Sequence, residues 1–143
     1  MAARGWDPLH LAGCMLYWAE GGKGRNAIRF TNSDPHMVAF FRKFLVEALR
    51  IAPEDISLSI NVYTNNGMTI DQIEKYWLDL LALPKSSARG HILNHMPTSS
   101  SGRATNKLPY GVARLSVHQT AKVQHVYGAT QEYAGFEEPA WLD

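Results

Sequence analysis

From Pro8 to Ala19 the chain carries no Asp, Glu, Lys or Arg, and Leu9, Leu11, Ala12, Met15, Leu16, Trp18 and Ala19 leave no polar stripe. Asp7 as N-cap and Pro8 at the first helical position open a helix there. Gly21-Gly22 closes it just after Glu20. A helix apolar nearly all round has to be covered on more than one side, which binds the rest of the fold to it. As helix the stretch is about 18 Å long, too short to cross a bilayer. It also lacks the charged flank and small-residue cleavage site of a signal peptide. A chain of 143 residues with 45% hydrophobic and 19% charged residues is a folded single domain, not a disordered one. The lone cysteine, Cys14, excludes an internal disulfide and a zinc site built from several thiolates, so a cytoplasmic location is expected.

The net charge of +1 hides a separation of signs. Between Leu80 and Gln131 there is no Asp or Glu, while Lys85, Arg89, Arg103, Lys107, Arg114 and Lys122 fall in that span with four histidines, His91, His95, His118 and His125. The stretch from Gly21 to Ser33 is also free of acids and holds Lys23, Arg25 and Arg29. Brought onto one surface, these spans make a cationic face with an acidic back; left apart, they are ordinary solvated charges.

Alternation and spacing place the remaining elements. A strand is expected at 26–31, with Ile28 and Phe30 on one face and Arg29 and Thr31 on the other. Ser33-Asp34-Pro35 starts a helix over 35–50. Residues 56–63 alternate strictly, Ile56, Leu58, Ile60 and Val62 against Ser57, Ser59, Asn61 and Tyr63. Asn65-Asn66-Gly67 reads as a turn, and Thr69 caps a helix over 70–81. A weak strand at 91–96, a stronger one at 110–118 and a helix over 119–133 ending near Gly135 complete the order. Each strand has one apolar and one polar side. The expected fold is therefore α+β, an antiparallel or mixed sheet with helices on one face only. The uncovered face would show Arg29, Thr31, Ser57, Ser59, Asn61, Arg114, Ser116 and His118, with no carboxylate among them. That set suits phosphates and base edges, and β-strands are able to read a major groove.

The segment Leu11-Ala-Gly-Cys-Met-Leu-Tyr-Trp-Ala-Glu-Gly21 resembles the motif of the LAGLIDADG homing endonucleases and their DNA-binding relatives. Leu16-Tyr17-Trp18-Ala19-Glu20-Gly21 matches the second half of that motif, in which an acidic residue precedes the final glycine. The strand Ile28-Arg-Phe-Thr-Asn32 before a capped helix, and Tyr110-Gly111 before the strand that precedes the last helix, strengthen the likeness. Met15 stands at the third motif position, where the family has a small residue, and Trp18 at the sixth, which is often acidic; both imply wider helix packing. The resemblance implies an N-terminal extension at 1–7, one LAGLIDADG-like domain over 8–135 and a tail at 136–143. Its core would be αββαββα with a saddle-shaped open sheet, plus one extra helix at 70–81.

The same resemblance implies a homodimer joined through Leu11, Ala12, Met15, Leu16 and Ala19, with double-stranded DNA as partner and Mg²⁺ or a similar divalent cation as cofactor. Glu20 would be the metal ligand. Two such carboxylates side by side repel one another unless a hard cation accompanies them. The cation would then activate water for phosphodiester hydrolysis. His118, with Lys122 as the alternative, matches the family's basic residue near the scissile phosphate, and Asn32 a polar position that holds water. Asn32 also reads as a plain helix-start cap. Lys23, Arg25, Arg103 and Lys107 would contact phosphates. Arg29, Asn61 and Arg114 would reach base edges, beside Thr31, Ser57, Ser59 and Ser116. A DNA endonuclease is the first reading, associated with the nucleoid in a bacterium, and a non-catalytic DNA-binding regulator of the same fold is the second.

Overall fold

A computed structural model describes residues 7–63, 68–94 and 110–142. Among these residues four α-helices and four strands follow in the order α1 (Pro8–Glu20), β1 (Ile28–Asn32), α2 (Pro35–Lys43), β2 (Ser57–Tyr63), α3 (Ile70–Leu81), β3 (Ile92–Asn94), β4 (Val112–Val117) and α4 (Thr120–Ala134). The Asp7 carboxylate accepts from the Leu9 and His10 amides at 3.1 and 3.5 Å and so opens α1. Asp34 does the same for α2, and Thr69 with Gln72 forms a reciprocal capping box on α3. The helix expected over 35–50 ends differently. Phe44–Ala48 is a π-helical turn, which sets both Phe44 and Leu45 into the core before Arg50 leaves in the left-handed region at φ 60°.

The sheet has the order β1-β4-β2-β3. β4 is antiparallel to both β1 and β2, while the short edge strand β3 is parallel to β2 because α3 carries the chain across between them. The fold is thus α+β with a mixed sheet. Ile28, Phe30, Leu58, Ile60, Ala113, Leu115 and Val117 are all buried on one face, where α2 and α1 pack. A strand pair after α1 is not formed. Gly21-Gly22-Lys23-Gly24 makes a single bridge, Gly21 to Phe30, because a glycine-rich run has no side chains to hold a strand. One strand, not two, therefore separates α1 from α2.

Helix α1 is not enclosed on several sides. His10, Gly13, Cys14 and Tyr17 form one buried stripe against α4, the π turn and β1. Gly13 is required there: a Cβ at this position would stand 1.9 Å from Phe44 Cδ1. Leu11, Met15 and Leu16 remain half-buried, and Ala12, Ala19 and Trp18 are exposed. The segment after α4 is docked onto the domain. Gln131 Nε2 donates to the Glu138 carbonyl at 3.2 Å and its Oε1 accepts from the Glu138 amide at 2.8 Å. Phe136 stacks on Trp18, and Trp141 leans on Tyr127.

Candidate nucleic-acid interface

The register assembles the open face row by row. Ser116 lies between Arg29 and Ser57, and Arg114 between Thr31 and Ser59; Asn61 stands beside Val112. No Asp or Glu occurs in any of the four strands. Arg29, Thr31, Asn61 and Arg114 are exposed, and Ser57 and Ser59 half-buried. Arg114 donates from Nε to Thr31 Oγ1 at 3.2 Å, which leaves both terminal guanidinium nitrogens directed elsewhere. Ser59 donates to the Gly90 carbonyl at 2.8 Å, so its hydroxyl still has lone pairs to offer. Ser116 is only 8% exposed, since its neighbours on both flanking strands crowd the central strand. It supports the face more than it presents it.

Glu20 is exposed at the last position of α1, beside the β1 edge. The seam is tight: Gly22 donates its amide to the Arg29 carbonyl at 2.8 Å, and a Cβ on Gly21 would meet the Tyr17 ring at 2.2 Å. Lys23 donates from Nζ to the Trp18 carbonyl at 2.6 Å and so offsets the negative end of α1 where Glu20 sits. His118 is exposed just past Val117, whose strand partner is Ile28.

Other expected site residues go elsewhere. Lys122 donates to the Leu49 carbonyl at 2.6 Å and lines a cleft with His10. His10 is ten residues from Glu20 along α1, about 15 Å of helix. Within one chain, then, Lys122 and Glu20 do not share a site. Asn32 accepts the Asp34 amide at 2.9 Å, so its side chain forms the turn that leads into the cap residue Asp34 and is not itself the cap of α2. Lys23 and Arg25 turn from the strand face to line a recess with Tyr17, Trp18 and Tyr127. Arg103, Lys107, His95 and the turn at 65–67 lie outside the described residues.

Two polar clusters were not expected from the sequence. His10, 6% exposed, has Nδ1 at 2.6 Å from the Tyr133 hydroxyl and Nε2 at 2.9 Å from His125 Nε2. At the sheet edge, His91 Nδ1 accepts the Ile60 amide at 3.1 Å while Nε2 faces Glu74 at 2.8 Å, and Lys85 pairs with the same carboxylate. Only a neutral imidazole accepts at Nδ1 in that geometry, and burial together with the Lys85 charge holds the His91 pKa below its ordinary value. As pH falls through about 6.5, the unfolded chain takes up a proton that the folded chain refuses, so stability declines until the folded ring also protonates. Urea midpoints between about pH 7 and pH 5 are expected to fall more steeply for the wild type than for His91→Gln, which keeps an acceptor for Ile60 without the titration. Cys14 is fully buried, and burial pushes its thiol up to about 12, against a smaller opposing effect of the Thr130 hydroxyl, which excludes it as a nucleophile.

Among the described residues no three His, Cys, Asp or Glu side chains converge, and no helix is long and apolar enough to cross a membrane. Compared with protein-family models, curated proteins and solved structures, the chain matches none.

Proposed function

We propose that this chain is a DNA-binding protein related to the LAGLIDADG architecture, with one strand in place of two between α1 and α2 and one extra helix, acting as a homodimer joined through the outer face of α1, and that the dimer hydrolyses phosphodiester bonds with Mg²⁺ or a similar cation held at Glu20. The acid-free strand face carrying Arg29 and Arg114 is the observation that supports this reading most. Such a face accepts phosphates and base edges without repulsion. The outer stripe of α1, with Ala12 and Ala19 exposed and Met15 and Leu16 half-buried, offers apolar area to a second copy and ends at Glu20.

A carboxylate is the hard donor that Mg²⁺ takes, but Glu20 alone is too few. Glu20 of a second copy and DNA phosphate oxygens would complete the ligand set. Bound there, the cation supplies an activated water and stabilises the leaving oxygen. Arg29 and Arg114 hold the duplex in register, and His118, exposed just past the end of β4, relays a proton. A non-catalytic regulator of the same fold is the second reading. It is favoured by the use of Lys122 and Asn32 in backbone hydrogen bonds.

Incubation with a random duplex library, with Mg²⁺ or with EDTA, tests both. Retention that weakens steeply with salt, together with Mg²⁺-dependent nicking, is the expected result. Retention without nicking in any duplex leaves the regulator. Absence of retention at low salt removes both.

A further inference from the structure

We propose that the recess between α1, the 23–25 loop, α4 and the C-terminal turn is a binding site for a single-ring planar anion, an aromatic carboxylate. Its volume is about 230 Å³, and its walls are the rings of Tyr17, Trp18, Tyr127 and Trp141. Lys23 and Arg25, both exposed, join the lining, and among the described residues no carboxylate does. Thr130, 1% exposed, adds a buried hydroxyl.

The walls are held in place before any ligand arrives. Tyr127 donates its hydroxyl to the Gly24 carbonyl at 2.8 Å, and Tyr17 accepts the Arg29 amide at 3.1 Å. Trp141 sits 5.5 Å from Tyr127, ring centre to ring centre, and Trp18 is stacked on Phe136 at 5.4 Å. A preformed pocket of this kind spares the ligand the cost of ordering side chains.

Size and charge then select the ligand. An apolar cavity of roughly 150 Å³ holds benzene, so this recess has room for one ring and a carboxylate. Ring faces take a planar guest by stacking. An aromatic box by itself suits a cation; here two cations and no acid reverse that preference. Lys23 commits one of its donors to the Trp18 carbonyl and keeps the others, while Arg25 offers a planar fork matched to a carboxylate. No side chain of the open strand face lines the site, so it stands whether or not the protein binds DNA.

Titration of the ¹⁵N-labelled protein with benzoate, followed at the tryptophan indole signals assigned through Trp6→Phe, Trp18→Phe and Trp141→Phe, tests the site. Benzoate is expected to shift the Trp18 and Trp141 signals saturably and to leave that of Trp77 unmoved. Benzyl alcohol, which lacks the charge, and acetate, which lacks the ring, are expected to bind at least about tenfold more weakly. Arg25→Ala should weaken benzoate about tenfold and leave benzyl alcohol unchanged. Any of three results overturns the proposal: no shift with millimolar benzoate, equal affinity for benzyl alcohol, or tighter binding of benzylammonium than of benzoate.

Discussion

Glu20→Gln is expected to lower Mg²⁺-dependent nicking by about 100-fold or more while duplex DNA stays bound. The substitution keeps the shape of the side chain and removes the anionic oxygens that a divalent cation requires. Because Glu20 is exposed, the fold has little to lose, and its thermal midpoint should stay within a few degrees of the wild type. In EDTA the variant should bind DNA as tightly as the wild type or somewhat more tightly, since a carboxylate facing phosphates is repulsive when no cation stands between them. Nicking rates and filter retention, measured on one duplex preparation, separate the effects. Equal nicking by wild type and variant would remove Glu20 from the chemistry.

Local signals carried much of this architecture, and the reasons are visible at particular residues. The strict alternation over 56–63 maps onto the buried Ile56, Leu58, Ile60 and Val62 because a strand with one wet face writes its orientation into every second residue. Thr69 announces the start of α3 through a side chain that caps it directly, and Gln72 completes the capping box. Helix α1 shows the opposite case. Periodicity needs contrast between polar and apolar positions, and with apolar residues on both faces nothing marks His10, Gly13, Cys14 and Tyr17 as the inward stripe. The clusters that carry chemistry were hidden for another reason. His10 meets residues 115 and 123 positions away, and the aromatic recess joins α1 to a turn at the far end of the chain. No spacing rule reaches that distance. Lys23 reads as a phosphate contact and Lys122 as the alternative to His118 at the family's basic position, yet the structure uses both ammonium groups on backbone carbonyls.

Arg29 and Arg114 offer the sharper test of the open face, because the register places them on adjacent strands, one step out of line. Arg29 is opposite Ser116, and Arg114 is opposite Thr31. Diagonal neighbours of this kind have Cβ atoms roughly 7–8 Å apart, close enough for two guanidinium groups to repel and to gain from a shared anionic partner. With Nε of Arg114 donating to Thr31, its terminal nitrogens remain for a bidentate contact such as guanine O6 and N7. Replacing both arginines by alanine is expected to weaken binding to the preferred duplex about 100-fold at low salt, the combined loss of two contacts worth about 1–3 kcal/mol each. An unrelated duplex should lose less, because base readout vanishes there first. Stability should hold or rise slightly as the repulsion goes. Removing two cations from the helix layer instead, Lys43 and Lys75, takes away the same net charge and is expected to change affinity only a few-fold. If the two double variants bind alike, bulk charge and not the strand face governs the interaction, and the open sheet loses its claim to be the interface.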